Sequence, residues 1–172
     1  MGNRANVIFS DGSKFEDRPP QLSPAIYLHW NGGPDSVYAF LAETFRRMSS
    51  RGQDVSYMSA RFVQIVGDFF GVDGSGGCLS LGIVSGPESM SLEALAAFDC
   101  GDNGIYVVEP LGIRRFVWTP ATVENGDIPL REMSEEEVAR ERRDAESENS
   151  AAVAYLNELK QHRLKFETAY AK

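Results

Sequence analysis

Apolar positions along the chain repeat with two periods, and the changes from one to the other divide it into elements. From Ala25 to Leu41 (AIYLHWNGGPDSVYAFL) an apolar run passes through two glycines into a helical pattern. Ile26 to Trp30 is rich in β-branched and aromatic residues and lies between Pro24 and Asn31-Gly32-Gly33, which predicts a strand. Period two puts Ile26, Leu28 and Trp30 on a core face and Tyr27 and His29 on the other. Gly32 and Gly33 permit positive φ. Pro34 suits a first helical turn, and Asp35 meets the positive end of the helix dipole. Val37, Tyr38, Phe40, Leu41, Phe45 and Met48 then recur at helical spacing, with Glu43, Arg46 and Arg47 off the stripe. Asp54 is a suitable N-cap for a second helix carrying Val55, Met58, Phe62, Ile65, Val66 and Phe69. The two helices form a hairpin that can cover one side of a sheet.

The remaining segments are shorter. Arg4 to Ser10 predicts a strand, and Asp11-Gly12 a hairpin turn into a short polar return arm before Pro19-Pro20. Cys78 to Ser85 predicts a strand in which Gly82 marks a bulge or a close backbone approach. Ser91 to Phe98 is a short helix. Ile105–Glu109 and Ile113–Thr119 flank Pro110-Leu111-Gly112 as a hairpin with a three-residue connection, placing Phe116 and Trp118 on one face and Arg115 and Val117 on the other. Arg114 and Arg115 are expected to decorate an exposed face or to pair with acids across the strand. The pattern breaks after Pro120, and Ser134 to Glu137 fits a capping box that opens a last helix. The sum is an α+β fold: a mainly antiparallel sheet of about five strands, a helical hairpin on one face, and a long C-terminal helix. Residues 1–130 form the compact domain, and 131–172 an acidic helix, docked or extended.

With 172 residues, 42% of them hydrophobic, the chain can bury a core of its own. It contains no apolar run of the roughly 20 residues a membrane helix needs, and no signal-peptide pattern, which points to the cytoplasm and away from membranes. Cys78, Cys100, His29 and His162 lack the spacing of a metal site, so neither metal nor cofactor is expected. Gly71 to Gly77 lacks the lysine of a phosphate loop and the acidic ladder of a calcium loop; it reads as a connection. The NGGPDS turn also lacks a lysine and carries Asp35 where an anion would sit. Catalytic signatures are absent, so no catalytic residue is assigned. The alternative to an interaction protein is a small enzyme or ligand binder at Tyr27, His29, Asn31 and Asp35, grouped at a strand end beside a helix start.

Charge changes the picture most. The net charge of −8 argues against direct nucleic-acid binding and fits a protein partner with a basic surface. Arg131 to Ser150 holds eight acids against four arginines, half of the formal charge, and almost no large apolar residue. Such a helix is solvated, frayed or bound. Glu135, Glu136, Glu137, Glu141, Asp144 and Glu148 are therefore the expected partner-binding residues. Beyond them, Ala152, Val153, Tyr155, Leu156, Leu159, Phe166 and Tyr170 restore a stripe that can dock on the domain or on a copy of itself, making a homodimer through the C-terminal helix.

At Met1 to Phe9 (MGNRANVIF) and Tyr27 to Gly33 (YLHWNGG) the chain resembles a group of small proteins from bacteria, their phages and mobile elements, a group that offers no assigned activity or site residues to carry over. The resemblance implies a bacterial cytoplasm and an accessory role on a mobile element, such as countering host defence. On that reading the chain acts as an inhibitor of anti-CRISPR or antirestriction type, occluding a basic surface that normally handles nucleic acid.

Overall fold

A computed structural model describes residues 3–13, 18–48, 50–52, 54–71, 81–98, 102–119, 129–147, 153–158 and 160–161. The elements are β1 (Ala5–Phe9), β2 (Ala25–Leu28), α1 (Pro34–Arg47), α2 (Val55–Gly71), β3 (Leu81–Val84), α3 (Leu92–Ala96), β4 (Ile105–Glu109), β5 (Gly112–Trp118), β6 (Leu130–Glu132) and α4 (Glu135–Ser147), with residues 153–158 also helical. The six strands form one mixed sheet in the order β3-β2-β1-β4-β5-β6.

Every residue of β1 is buried, because the strand lies between β2 and β4 and its two faces are both covered. Its alternation assigns the layers. Ala5, Val7 and Phe9 join Ile26, Leu28, Tyr106 and Val108 beneath α1 and α2, where Phe62 meets Phe9 and Phe40 edge to face at 5.7 and 6.3 Å. Ile8 points the other way and joins Ala25, Ile105, Val107, Phe116 and Leu130 around Leu95 of α3. The helical hairpin expected from two successive amphipathic stripes is therefore present. Asp54 caps α2 through the Tyr57 N–H at 3.2 Å, and Ser91 caps α3 through the Ala94 N–H at 3.2 Å.

Besides Trp30, expected on the core face but 44% exposed beyond the end of β2, and the buried Glu43, four details differ from the sequence expectation. The sheet has six strands rather than about five, and β1 pairs with β4 in parallel, so it is not antiparallel throughout. The sixth, β6, is three residues with only Leu130 buried, too short to show a period. The partner of β1 is β2 itself, not a polar arm directly after Gly12, of which residues 14–17 lie outside the described set. Asp11 closes that longer connection by accepting the N–H groups of Ser13 and Gln21 at 3.1 and 3.0 Å. The β4–β5 connection is two residues, Pro110 and Leu111, since Gly112 already pairs with Glu109.

Gly32 is the fourth. Positive φ falls on Asn31 (57°), while Gly33 is extended at −70°. Glycine is needed at Gly32 for space: a Cβ there would lie 2.6 Å from the Ala5 nitrogen and 2.7 Å from the Arg4 carbonyl carbon. The Gly32 N–H donates to the Asn3 carbonyl at 2.7 Å, fastening the start of α1 against the start of β1.

Candidate functional site

Arg115 lies opposite Tyr106 in the β4–β5 register, and this parity sends it into the helical layer, where only 2% of it is exposed. The guanidinium lies over the Tyr106 ring at 3.6 Å and donates to the Ile105 carbonyl at 3.0 Å. Its other donors reach both oxygens of Glu141 on α4, at 2.8 and 3.2 Å. From α1, the Tyr38 hydroxyl donates to the same Glu141 carboxylate at 2.9 Å, and the Tyr106 hydroxyl donates to the Gly32 carbonyl at 3.2 Å. One buried cation thus ties α4, α1 and the sheet together. Burial works against the Arg115 charge, but Tyr106 and Glu141 outweigh it and its pKa is raised. Burial, followed by the Glu141 charge, raises the Tyr38 phenol; burial raises that of Tyr106.

The first turn of α4 is closed reciprocally. The Glu137 N–H donates to the Ser134 hydroxyl at 3.2 Å and the Ser134 N–H donates to Glu137 at 2.8 Å, the capping box expected from the spacing. Arg131 adds two bonds to Glu137 at 2.9 Å, and these, with the Ser134 N–H, hold its carboxyl down at about 2. Glu43 on α1, placed off the apolar stripe by the sequence, is instead almost fully buried. Arg46 and Arg47 reach it at 2.6 and 2.7 Å; burial pushes its carboxyl up, and the two arginines more than offset that.

An open cleft of about 290 Å³ runs between the start of α1 and α4, lined by Pro34, Asp35, Met133, Glu137, Arg140, Glu141, Asp144 and Ala145. It gathers three of the expected partner-binding acids, Glu137, Glu141 and Asp144, with Asp35. Glu135 and Glu136 are exposed outside it, and Glu148 lies outside the described residues. Two of the cleft acids also serve the fold, Glu137 in its cap and Glu141 on Arg115.

The members of the alternative grouping, Tyr27, His29, Asn31 and Asp35, have separate partners. The Tyr27 hydroxyl and His29 Nδ1 are 3.2 Å apart, on the face of the sheet turned away from α1 and α2. Asn31 donates to the Ser36 hydroxyl at 3.1 Å, and Asp35 looks into the α4 cleft. Arg115, Tyr38 and Tyr106 were not singled out by the sequence as site residues. The one signal was the parity that set Arg115 beside Val117; Arg114, on the other face, does pair across the strand, with Glu132 at 2.6 Å.

Among the described residues, no group of three or more His, Cys, Asp or Glu side chains is placed to hold a metal ion, and no helix is long and apolar enough to cross a membrane. Comparison of the chain with family models, curated proteins and solved structures gives no match.

Proposed function

We propose that the chain is an acidic, non-enzymatic interaction protein whose α4 side engages a basic surface on a protein partner. The observation that carries this reading is the α1–α4 cleft, whose described lining holds four carboxylates: Glu137 and Glu141 are held by Arg131 and Arg115, which leaves Asp35 and Asp144, beside Arg140, to meet a partner's cation. A lysine or arginine side chain of a partner suits such a cleft, and the net charge of −8 adds long-range steering toward it. The partner we infer is a host complex whose basic surface handles nucleic acid, occluded in the manner of an anti-CRISPR or antirestriction inhibitor.

The cleft divides the acids into those to mutate and those to leave. Reversing Glu135, Glu136 and Asp144 to lysine removes charge without touching the Arg115 or Ser134 contacts. We expect capture of a bacterial lysate partner to fall at least about tenfold in that variant, and capture by the unmodified chain to weaken steeply between about 50 and 300 mM salt. Capture that ignores both the reversal and the salt rejects the reading.

A further inference from the structure

A second cavity, of about 250 Å³, lies on the other side of Asp35 and Ala145 from the cleft, between α1, α4 and helical residues 153–158. Its walls are largely apolar, with Leu41, Phe45, Ile113 and Leu156 among them. Four charged side chains line it among the described residues. Arg142 pairs with Glu146 at 2.9 Å, and Asp35 stands in the first turn of α1 against the positive end of that helix. Lys160 makes no ion pair among the described residues. The cavity therefore offers an apolar body and an ammonium that has no ion-pair partner among the described residues.

We infer that this cavity is a binding site for a small apolar carboxylic acid, with its hydrocarbon part between Phe45 and Leu156 and its carboxylate against Lys160. A volume of about 250 Å³ lies at the small end of ligand sites, which suits a phenylalkyl or short aliphatic acid and excludes a long acyl chain. The inference goes beyond the partner-binding reading and does not depend on it.

Saturation-transfer NMR on the full chain, titrated with 3-phenylpropanoate, 3-phenylpropanol and 3-phenylpropylamine, tests it with three ligands of one shape. The carboxylate should bind about three- to fivefold more tightly than the alcohol, and the amine most weakly. Lys160→Gln should leave alcohol binding in place and erase the advantage of the acid. Ala42→Phe, which sets a ring into the cavity from an exposed position of α1, should abolish binding of all three without lowering the melting temperature. No saturation transfer from any ligand, equal affinity for acid and alcohol in the unmodified chain, an advantage that survives Lys160→Gln, or binding that survives Ala42→Phe would each overturn it.

Discussion

Two contacts fasten helices to the sheet, and they work by opposite means. At Gly32 the start of α1 touches β1 backbone to backbone, and the contact exists because a side chain is missing. At Glu141 the contact is made by long side chains that reach across a layer to a buried guanidinium. The first is steric and cannot relax. The second is electrostatic, and its cost depends on which partner is left behind, since a lone buried charge is far more expensive than a lone hydrated one.

The largest effect should come from stranding that charge. Glu141→Ala leaves Arg115 buried without a counterion and is expected to cost about 3–5 kcal/mol in urea unfolding. Arg115→Met should cost less, because the Glu141 carboxylate is 18% exposed and keeps its bond from Tyr38. The double variant Arg115→Met with Glu141→Leu should recover most of the loss. Equal costs for the two single variants would mean that α4 does not depend on the ion pair in this way.

Next in size is the steric contact. Gly32→Ala should cost about 2–3 kcal/mol, because the Ala5 nitrogen and the Arg4 carbonyl belong to the backbone at the entry of β1, which its strand pairing holds in place. Gly67→Ala in α2 supplies the contrast. Nothing lies within 4 Å of a Cβ there, and helix propensity should give a gain of about 0.5–1 kcal/mol. Similar behaviour at the two glycines would remove the close-approach account of Gly32.

The smallest effect concerns acid. Glu137 titrates at about 2 in the fold against an ordinary 4.5, so between those values the unfolded chain binds more protons and stability falls as pH falls. Its contribution is fully present above about pH 5 and is lost toward pH 2. In circular dichroism melts, Glu137→Gln should lower the melting temperature at pH 6 and flatten its decline over that interval. An unchanged slope would show that the capping-box carboxylate carries none of the acid sensitivity.

What was legible in the sequence follows the same division. The strand, the glycines, the proline and the stripe of α1 are adjacent in the chain, so local sterics and periodicity announce them, as the S-x-x-E spacing announces the start of α4. The reason for Gly32 was not legible, because its neighbour is Ala5, and only the folded register brings them together. The role of α4 was half legible. Its charge and lack of bulk apolar residues stood out, but an acid that closes a cap, an acid that neutralises a buried arginine 26 residues earlier and an acid facing water are one letter in a sequence. The parallel β1–β4 pair escaped for a related reason: local alternation reports that a strand is buried and says nothing of its neighbour.

That parallel pair has a consequence for how the chain is made. Asn6 must find Ile105, so the middle of the sheet joins strands separated by about a hundred residues. At roughly 5–20 residues per second, a ribosome takes about 5–20 s to travel between them. Throughout that interval β1, an ANVIF strand buried along its whole length in the finished sheet, has one hydrogen-bonding edge with no β4 to fill it. The hairpin of β1 with β2 and the covering helices can form early, but closure of the centre waits for β4, about a hundred residues after β1. Folding is thereby tied to a slow, long-range step and to whatever protects that edge until β4 emerges.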